Sequence, residues 1–359
     1  MKKRISKFEL LRIIAMYLIV LHHSILHGAL NIGAYQLMNK PVNAILLSFL
    51  ECGGKVGVFL FVLITGYFMT YSKINFKKII KLWLPIFFWS ITLYLVMAKL
   101  TGCSLNTRSL IRSLFPIIFA QYWFMTAYFF MYLLIPVLNI VIKNINSKKK
   151  IIYFITIGII LIASSTHTLF KGNAGSMLLN FCIVYCWGGL IRIYHSKINR
   201  SLNDKLLGVF ILLELIGIEL PLIGFLLTGK EQLLKISNKF VVAPSTLFVV
   251  LIAVTFFIYV SFWKDNYYPS INKIATTTFG IYLISDNDSV REYLWNNLLR
   301  MHTIIEQNYA VIYVIVASLV VFIFCSLIET LRKRIFNRLE NYVGNQFQKF
   351  QNFILKRIS

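Results

Sequence analysis

The chain has 359 residues and a formal net charge of +24, and hydrophobic residues make up 58% of it while charged residues make up only 14%. Soluble domains carry roughly 25% charged residues, so this composition, with a mean hydropathy of +0.72, excludes a soluble enzyme. The basic residues are scattered through loops, which argues against a nucleic-acid partner. We therefore expect an all-α integral protein of the lipid bilayer.

Ten apolar segments are long enough to be transmembrane helices, since a crossing needs roughly 20 apolar residues. They are, in chain order, 8–28, 44–71, 79–99, 116–142, 151–168, 176–194, 206–227, 240–262, 272–297 and 308–331. The second is rich in glycine, which is compatible with a broken helix. The ninth is the weakest because charged residues interrupt it near Asp286 and Arg291. The sequence predicts a polytopic bundle of about ten transmembrane helices.

Charge sets the expected orientation of this bundle. With the N-terminus in the cytosol, 25 of the 37 lysines and arginines lie in cytosolic segments and ten on the opposite side. Positive residues are retained on the cytosolic side, so the bias favours both termini inside. Residues 332–359 are basic with interspersed phenylalanine, which is typical of an amphipathic helix on the cytosolic leaflet. We expect a transmembrane domain at 1–331 and a basic cytosolic tail at 332–359.

The first segment carries ionisable side chains where a membrane makes them costly. They are Glu9, Arg12, His22 and His23. Arg12 and His23 are eleven residues apart, or about three helical turns, so both lie on one helix face. Their separation along the axis is about 16 Å. This spacing points to one long substrate, or two substrates that meet, lying along the helix.

The residue types in this segment suit acid–base chemistry on an anionic substrate. Histidine is a good general base for a hydroxyl, and arginine binds phosphate or carboxylate through its planar fork. A histidine that only packs and hydrogen-bonds is an equally weighted alternative for His23. Glu9 lies three residues before Arg12 and can pair with it and orient it. The candidate catalytic residues are His23, Glu9 and Arg12.

Two pairs of residues in the second and third segments are candidates for binding. Lys55 and Tyr67 lie in the glycine-rich run 53–68, whose glycines permit either close helix packing or a broken helix that lines a cavity. Lys78 and Lys81 precede the third segment. They either reflect topology or hold the anionic end of a nucleotide-bearing donor.

Three later residues are candidates for substrate binding. Trp123 opens the fourth segment, where it belongs either to an interfacial aromatic belt or to a platform that stacks on a sugar. Tyr282 and Asp286 lie in the ninth segment, where a carboxylate beside an apolar run indicates a polar cavity or a helix end. His23 and His27 are four residues apart without a nearby carboxylate in sequence, which is weak evidence for a metal, so we expect none.

Taken together, these segments resemble the acyltransferase 3 family of membrane-bound O-acyltransferases. Glu9, Arg12 and His23 match the family's first-span pattern. Residues 54–67 resemble its second-span motif, with Thr65 where serine is usual. Lys78 and Lys81 stand where the family has a cytosolic basic pair.

Two later motifs extend the resemblance over residues 5–290. Tyr122–Met125 is similar to the family's fourth-span motif. Phe279–Ile284 matches its late F-G-I-Y-L-I motif, but Ser285 stands where histidine is common. That departure puts any role of a second histidine at this position in doubt.

The resemblance implies a donor, acetyl-CoA, that binds from the cytosol, and an acceptor hydroxyl on a cell-surface polysaccharide or related glycan. Arg12, Lys78 and Lys81 would hold the donor, and His23 would either deprotonate the acceptor or carry the acyl group. The expected location is the bacterial cytoplasmic membrane, with polysaccharide-assembly proteins as partners. The alternative is a transporter or flippase for a lipid-linked sugar or acyl intermediate; the lack of an inverted repeat argues against it.

Overall fold

The computed structural model describes residues 5–31, 34–102, 106–166, 174–242 and 247–358. Within these ranges the chain forms helices and no strand, which confirms the all-α membrane fold. Among the described residues, seven helices are long and apolar enough to cross a membrane: Ser6–Ala29, Pro41–Met69, Phe76–Thr101, Trp123–Asn144, Met177–Lys197, Arg200–Thr228 and Ala310–Arg357. The count of ten crossings and the orientation stay predictions.

Short helices lie between the long ones along the chain. The α-helices of the described ranges are, in chain order, α1 (Ser6–Ser24), α2 (Ala34–Asn39), α3 (Pro41–Glu51), α4 (Gly53–Met69), α5 (Phe76–Thr101), α6 (Thr107–Leu114), α7 (Trp123–Asn144), α8 (Lys148–Thr166), α9 (Ala174–Tyr194), α10 (Arg200–Thr228), α11 (Glu231–Val242), α12 (Leu247–Ser261), α13 (Pro269–Ala275), α14 (Thr278–Ser285), α15 (Asp288–Glu292), α16 (Met301–Ile304) and α17 (Ala310–Ile358).

The predicted second crossing is interrupted at one residue, and its glycines serve packing. Cys52, whose backbone angles stay helical, separates α3 from α4 within the span Pro41–Met69. Added Cβ atoms at Gly54 and Gly57 would run into the His22 side chain and the Ala15 backbone of α1. The two glycines therefore let α4 lie directly against α1, as small residues do between membrane helices.

The predicted ninth crossing is broken, into α13, α14, α15 and a π-helical turn at Tyr293–Leu298. The break between α14 and α15 falls at Asp286 and Asn287, and the Asn287 side chain caps α15 by accepting a hydrogen bond from the Ser289 backbone N–H. The fourth crossing is shorter than expected, because residues 116–120 form turns and α7 begins only at Trp123. Non-helical backbone at such depth is tolerated where protein surrounds it.

The last crossing continues without interruption into the predicted tail. Helix α17 runs to Ile358, and its extension beyond residue 331 packs alongside α5. The Gln351 side chain accepts a hydrogen bond from the Phe76 backbone N–H at 2.9 Å, and Gly344 lies against Lys77. The division of the chain at residue 331 stays a prediction.

The bundle has two ends, which hydrogen bonds and ion pairs identify. At the end where α1 begins, Lys7 pairs with Asp265 at 2.7 Å, and Arg192 donates to the Tyr67 backbone oxygen at 2.8 Å. At the opposite end, Asn43 donates to the Ile305 backbone oxygen at 2.7 Å. We name these the basic end and the far end.

Candidate active site

His23 lies in the last full turn of α1, and its imidazole faces the break between α14 and α15. It is 4% exposed, and its Nδ1 is 3.6 Å from Asp286 Oδ1. That distance is longer than a hydrogen bond but within the range of an ion pair. The carboxylate is positioned to hold a proton on Nδ1, which leaves Nε2 as the basic nitrogen.

Asp286 is shared between His23 and a guanidinium. Arg291 Nε is 3.0 Å from Asp286 Oδ1, and Arg291 Nη2 donates to the Asp286 backbone oxygen at 3.1 Å. The carboxylate is only 2% exposed, so a buried anion requires such a partner. The arrangement is imidazole, carboxylate and guanidinium in series.

Two tyrosines fix the position of this group. The Tyr122 hydroxyl donates to the Leu283 backbone oxygen at 3.0 Å and accepts from Asn287 Nδ2 at 2.5 Å, which holds both sides of the break. The ring of Tyr282 lies 6.1 Å from the ring of His23. The buried Tyr282 hydroxyl lies beside the Asp286 carboxylate and interacts with it, but without a close hydrogen bond.

His22, the neighbouring histidine, is held differently. Its Nδ1 is 2.8 Å from the Glu51 backbone oxygen, and a carbonyl only accepts, so Nδ1 carries the proton. The Glu51 carboxylate lies 3.9 Å from the same nitrogen. His22 therefore ties α1 to α3, and its buried ring is flanked by Gly54 of α4.

A narrow cavity leads from Arg12 toward His23. It has a volume of about 310 Å³ and is lined by Arg12, Thr65, Tyr128, Phe279, Tyr282 and Lys333, among others. His23 and Asp286 do not line this cavity; Tyr282 does, and its ring lies between the cavity and His23, 6.1 Å from the imidazole centre to centre. Thr65 and Tyr128 hydrogen-bond to each other at 2.8 Å in its wall.

A wider cavity of about 650 Å³ opens at the basic end. It shares Thr276, Phe279 and Lys333 with the narrow cavity, so the two adjoin. Four cationic side chains line it and are exposed or half-buried: Lys81, Lys273, Lys333 and Arg334. Together the cavities form a route from a basic mouth to Tyr282, the residue that packs on the His23 ring.

Comparison with known proteins agrees with this architecture. A family model described as an acyltransferase domain matches residues 5–331. The chain belongs to the acyltransferase 3 family. No curated protein and no solved structure matches the chain. The protein is therefore a multi-pass membrane acyltransferase, and its site must be interpreted from its own residues.

Of the predicted donor residues of this acyltransferase, Arg12 and Lys81 line the route and Lys78 does not. Both Glu9 carboxylate oxygens lie 3.3 Å from Arg12 Nη1, so the predicted pair forms. Lys81 lines the wide cavity. Lys78 does not line it; its Nζ donates to Ser72 Oγ and the Lys73 backbone oxygen, both at 2.7 Å.

The predicted substrate residues divide between the two ends. Lys55 is 7% exposed, and its Nζ lies 5.0 Å from the centre of the Trp123 ring, so the protein itself occupies the ring face expected to stack on a sugar. Tyr67 lies at the basic end, packed on Phe8 with ring centres 4.9 Å apart, and lines neither cavity described above. Ser285 donates to the Ile281 backbone oxygen at 2.9 Å, a contact within its own helix.

The structure also bears on metal binding. Within the described residues, His23, His27 and Asp286 offer ligand atoms that lie within 4.8 Å of one another. The sequence does not reveal this proximity, because Asp286 lies far along the chain from the two histidines. Arg291 already neutralises Asp286 at 3.0 Å, so a divalent cation would have to bind beside a guanidinium. The group suits proton transfer better than metal binding.

Proposed function

We propose that this acyltransferase moves an acetyl group from acetyl-CoA to a hydroxyl of a cell-surface polysaccharide or related glycan. In this proposal the membrane is the bacterial cytoplasmic membrane, and the basic end faces the cytosol, as the charge bias favours. The observation that supports it best is the route from the basic mouth to Tyr282, whose ring lies 6.1 Å from that of His23.

The wide cavity fits the nucleotide end of the donor. Its phosphates carry several negative charges, and the side chains of Lys81, Lys273, Lys333 and Arg334 surround the opening. Cations outnumber the two carboxylates of the lining, Glu329 and Glu340, and a cleft with an excess of one charge concentrates the opposite ion and accelerates its capture. Arg12, deeper in the narrow cavity, presents a fork of donors to the phosphate or amide groups that pass it.

The narrow cavity fits the arm of the donor. Arg12 and His23 lie on one uninterrupted α-helix, so their axial separation is about 16 Å. A pantetheine arm is long and thin, and it bridges much of that distance. The thioester would then arrive beside Tyr282, with the nucleotide still held at the basic end.

His23 acts as a general base in this mechanism. It takes the proton from the acceptor hydroxyl as the oxygen attacks the thioester carbonyl, and a carbon–oxygen bond forms. The imidazolium is stabilised by the Asp286 carboxylate, which Arg291 holds in place. When the carbon–sulfur bond breaks, the departing thiolate receives that proton, and free CoA leaves toward the cytosol.

Tyr282 is placed to stabilise the charge that develops in this step. It lines the narrow cavity, and its hydroxyl lies beside the Asp286 carboxylate without a close hydrogen bond to it. A hydroxyl of this kind can donate to the thioester oxygen as that oxygen becomes negative. Preorganised donors of this type contribute strongly to acyl transfer because the site excludes water.

The test is transfer of labelled acetyl groups. Membranes that contain the wild-type chain, or its His23→Ala variant, are incubated with labelled acetyl-CoA and surface polysaccharide of the host. We expect label on the polymer only with the wild type. Equal label with both proteins, with folding verified, would reject the His23 mechanism; glycan flux in liposomes without CoA would favour a transporter.

A second measurement separates the two roles of His23. The wild-type protein is incubated with labelled acetyl-CoA without any acceptor and is then denatured rapidly. The general-base mechanism predicts no label on the protein. Label that depends on His23 would instead establish an acyl-histidine intermediate.

A further inference from the structure

A group of buried charges lies beside the wide cavity, and the proposed chemistry does not use it. Glu329 of α17 is 1% exposed. Its Oε2 accepts hydrogen bonds from Arg332 Nε and from Trp89 Nε1 of α5, both at 2.8 Å. Its Oε1 accepts from Arg332 Nη2 at 2.9 Å. The carboxylate is therefore bonded on both oxygens.

Arg332 is as fully engaged as Glu329. Its Nη1 bonds to the Glu340 carboxylate, two turns further along α17. Its guanidinium also lies 5.6 Å from the centre of the Phe88 ring of α5. Arg332 lines the wide cavity, but its hydrogen-bond donors serve the two glutamates.

Helix α14 meets this group at a glycine. A Cβ atom added to Gly280 would run into the Glu329 carboxylate. Gly280 belongs to the same short helix as Tyr282. Glu329 therefore lies where α5, α14 and α17 converge, directly below the helix that carries the site tyrosine.

Burying these charges costs free energy, so a role other than stability explains them better. Desolvation of buried ions offsets most of their attraction, so a buried ion pair is weak evidence for stability. Carboxylates beside a cavity for an anionic donor would also repel it unless a cation neutralised them. The best-attested use of buried ion pairs is to fix one register of packing.

We propose that Glu329, Arg332 and Glu340 form a positioning cluster that holds the extension of α17 against α5 and α14, so that Lys333 and Arg334 face the wide cavity. Lys333, next to Arg332, bonds to the Thr276 backbone oxygen and lines both cavities. These residues act through the extension and do not touch the reacting atoms. The role in donor binding rests on the proposed function; the role in holding the helix does not.

The first test measures the position of the extension without any donor. An added Cβ at Gly344 would lie 3.8 Å from Lys77 Cα and 3.2 Å from Lys77 Cγ. These contacts place the two positions side by side, and the Cβ atoms of a disulfide are about 3.8 Å apart, so a cysteine pair is close enough to be linked there. The double variant Lys77→Cys/Gly344→Cys is therefore oxidised in nanodiscs, and the linked peptides are measured by mass spectrometry. Lys77→Cys alone is the control for the native cysteines.

The positioning cluster predicts how fast this disulfide forms. Adding Glu340→Gln, which removes one ion partner of Arg332 and keeps the side-chain volume, should slow oxidation by about tenfold because the extension is held less tightly. Glu306→Gln removes the same charge from an exposed site outside the extension and should change nothing. An unchanged rate in Glu340→Gln would overturn the inference.

The second test links the cluster to the donor. Equilibrium binding of labelled CoA should weaken by about tenfold in Glu340→Gln. It should recover when the disulfide is formed in that variant, with the reduced sample as control. Equal affinity of wild type and Glu340→Gln for CoA would overturn the link to the donor. If the wild type bound no CoA, the proposed donor would be wrong, and the oxidation rates would still decide whether the cluster positions the helix.

Discussion

The two ends of the route differ in how they hold charge. In the far half, His23 and Asp286 are 4% and 2% exposed and face each other at a helix break. The basic mouth has four exposed or half-buried cations, of which Lys81, Lys273 and Arg334 are exposed. A buried pair with fixed geometry is suited to a chemical step, whereas several exposed cations share the capture of an anion. Substitutions at His23 or Asp286 should therefore cause large losses of turnover, whereas substitutions in the basic mouth should cause small, cumulative losses of donor affinity.

The largest effect is expected at His23. His23→Ala removes the general base, so the turnover number for acetyl transfer should fall by about 1,000-fold, within the usual contribution of acid–base catalysis. Binding of labelled CoA should be retained because the mouth is intact. His302→Ala removes an exposed histidine near the far end and should leave turnover unchanged. A loss of CoA binding in His23→Ala would contradict the assignment of chemistry to one end of the route and donor capture to the other.

Asp286 should show the next largest effect. Asp286→Asn leaves the imidazolium unstabilised and Arg291 without its buried anion, so kcat should fall by about 100-fold with little change in KM for acetyl-CoA. Asp288→Asn is the matched control, since Asp288 also pairs with Arg291 at 3.0 Å but is 42% exposed. Equal losses in both variants would show that Asp286 acts only on the fold.

Single substitutions in the basic mouth should each weaken donor binding moderately. Lys333→Gln and Arg334→Gln should each raise KM for acetyl-CoA by about three- to tenfold, since a half-exposed ion pair contributes about 1 kcal/mol, and kcat should hardly change. The double variant should lose more, and added salt should reduce the difference. Lys349→Gln lies on the same helix, exposed and away from the cavity lining, and should match the wild type. A loss confined to kcat would contradict a role in capture.

Gly280 connects the two ends and should give the smallest effect on activity. Gly280→Ala places a methyl group against the Glu329 carboxylate, and overpacking of this kind costs about 1–3 kcal/mol. The midpoint of thermal unfolding in detergent should fall. Gly208→Ala is the control, because nothing lies within 4 Å of the added Cβ. An unchanged midpoint in Gly280→Ala would mean that Glu329 can move, and would weaken the case for the positioning cluster.

Much of the fold, and the alignment of Arg12 with His23, could be predicted from patterns within single helices. Apolar runs define membrane helices because lipid leaves backbone groups no other partner. The pairing of Glu9 with Arg12, and the placement of Arg12 and His23 on one helix face, follow from helical periodicity alone. The glycine-rich run left packing and function equally open, and Gly54 and Gly57 contact α1.

Other members of the site carried no local signal. In the sequence, Lys273 and Lys333 are two more basic residues near span ends, which membrane topology is enough to explain. Arg291 only interrupts a weak candidate span. The nearest available signal was the group of opposite charges at 286–292, which predicts neighbours within that segment but not a histidine in another helix.

The sequence by itself determined that this protein is a helical membrane acyltransferase with a charge and a histidine aligned along its first helix. The tertiary structure alone decided that Asp286 meets His23, 263 residues earlier in the chain, and that the extension of α17 completes the basic mouth. The reason is physical. Periodicity fixes neighbours within one helix, while contacts between helices depend on where breaks and small residues let backbones approach, and those are properties of the packed bundle.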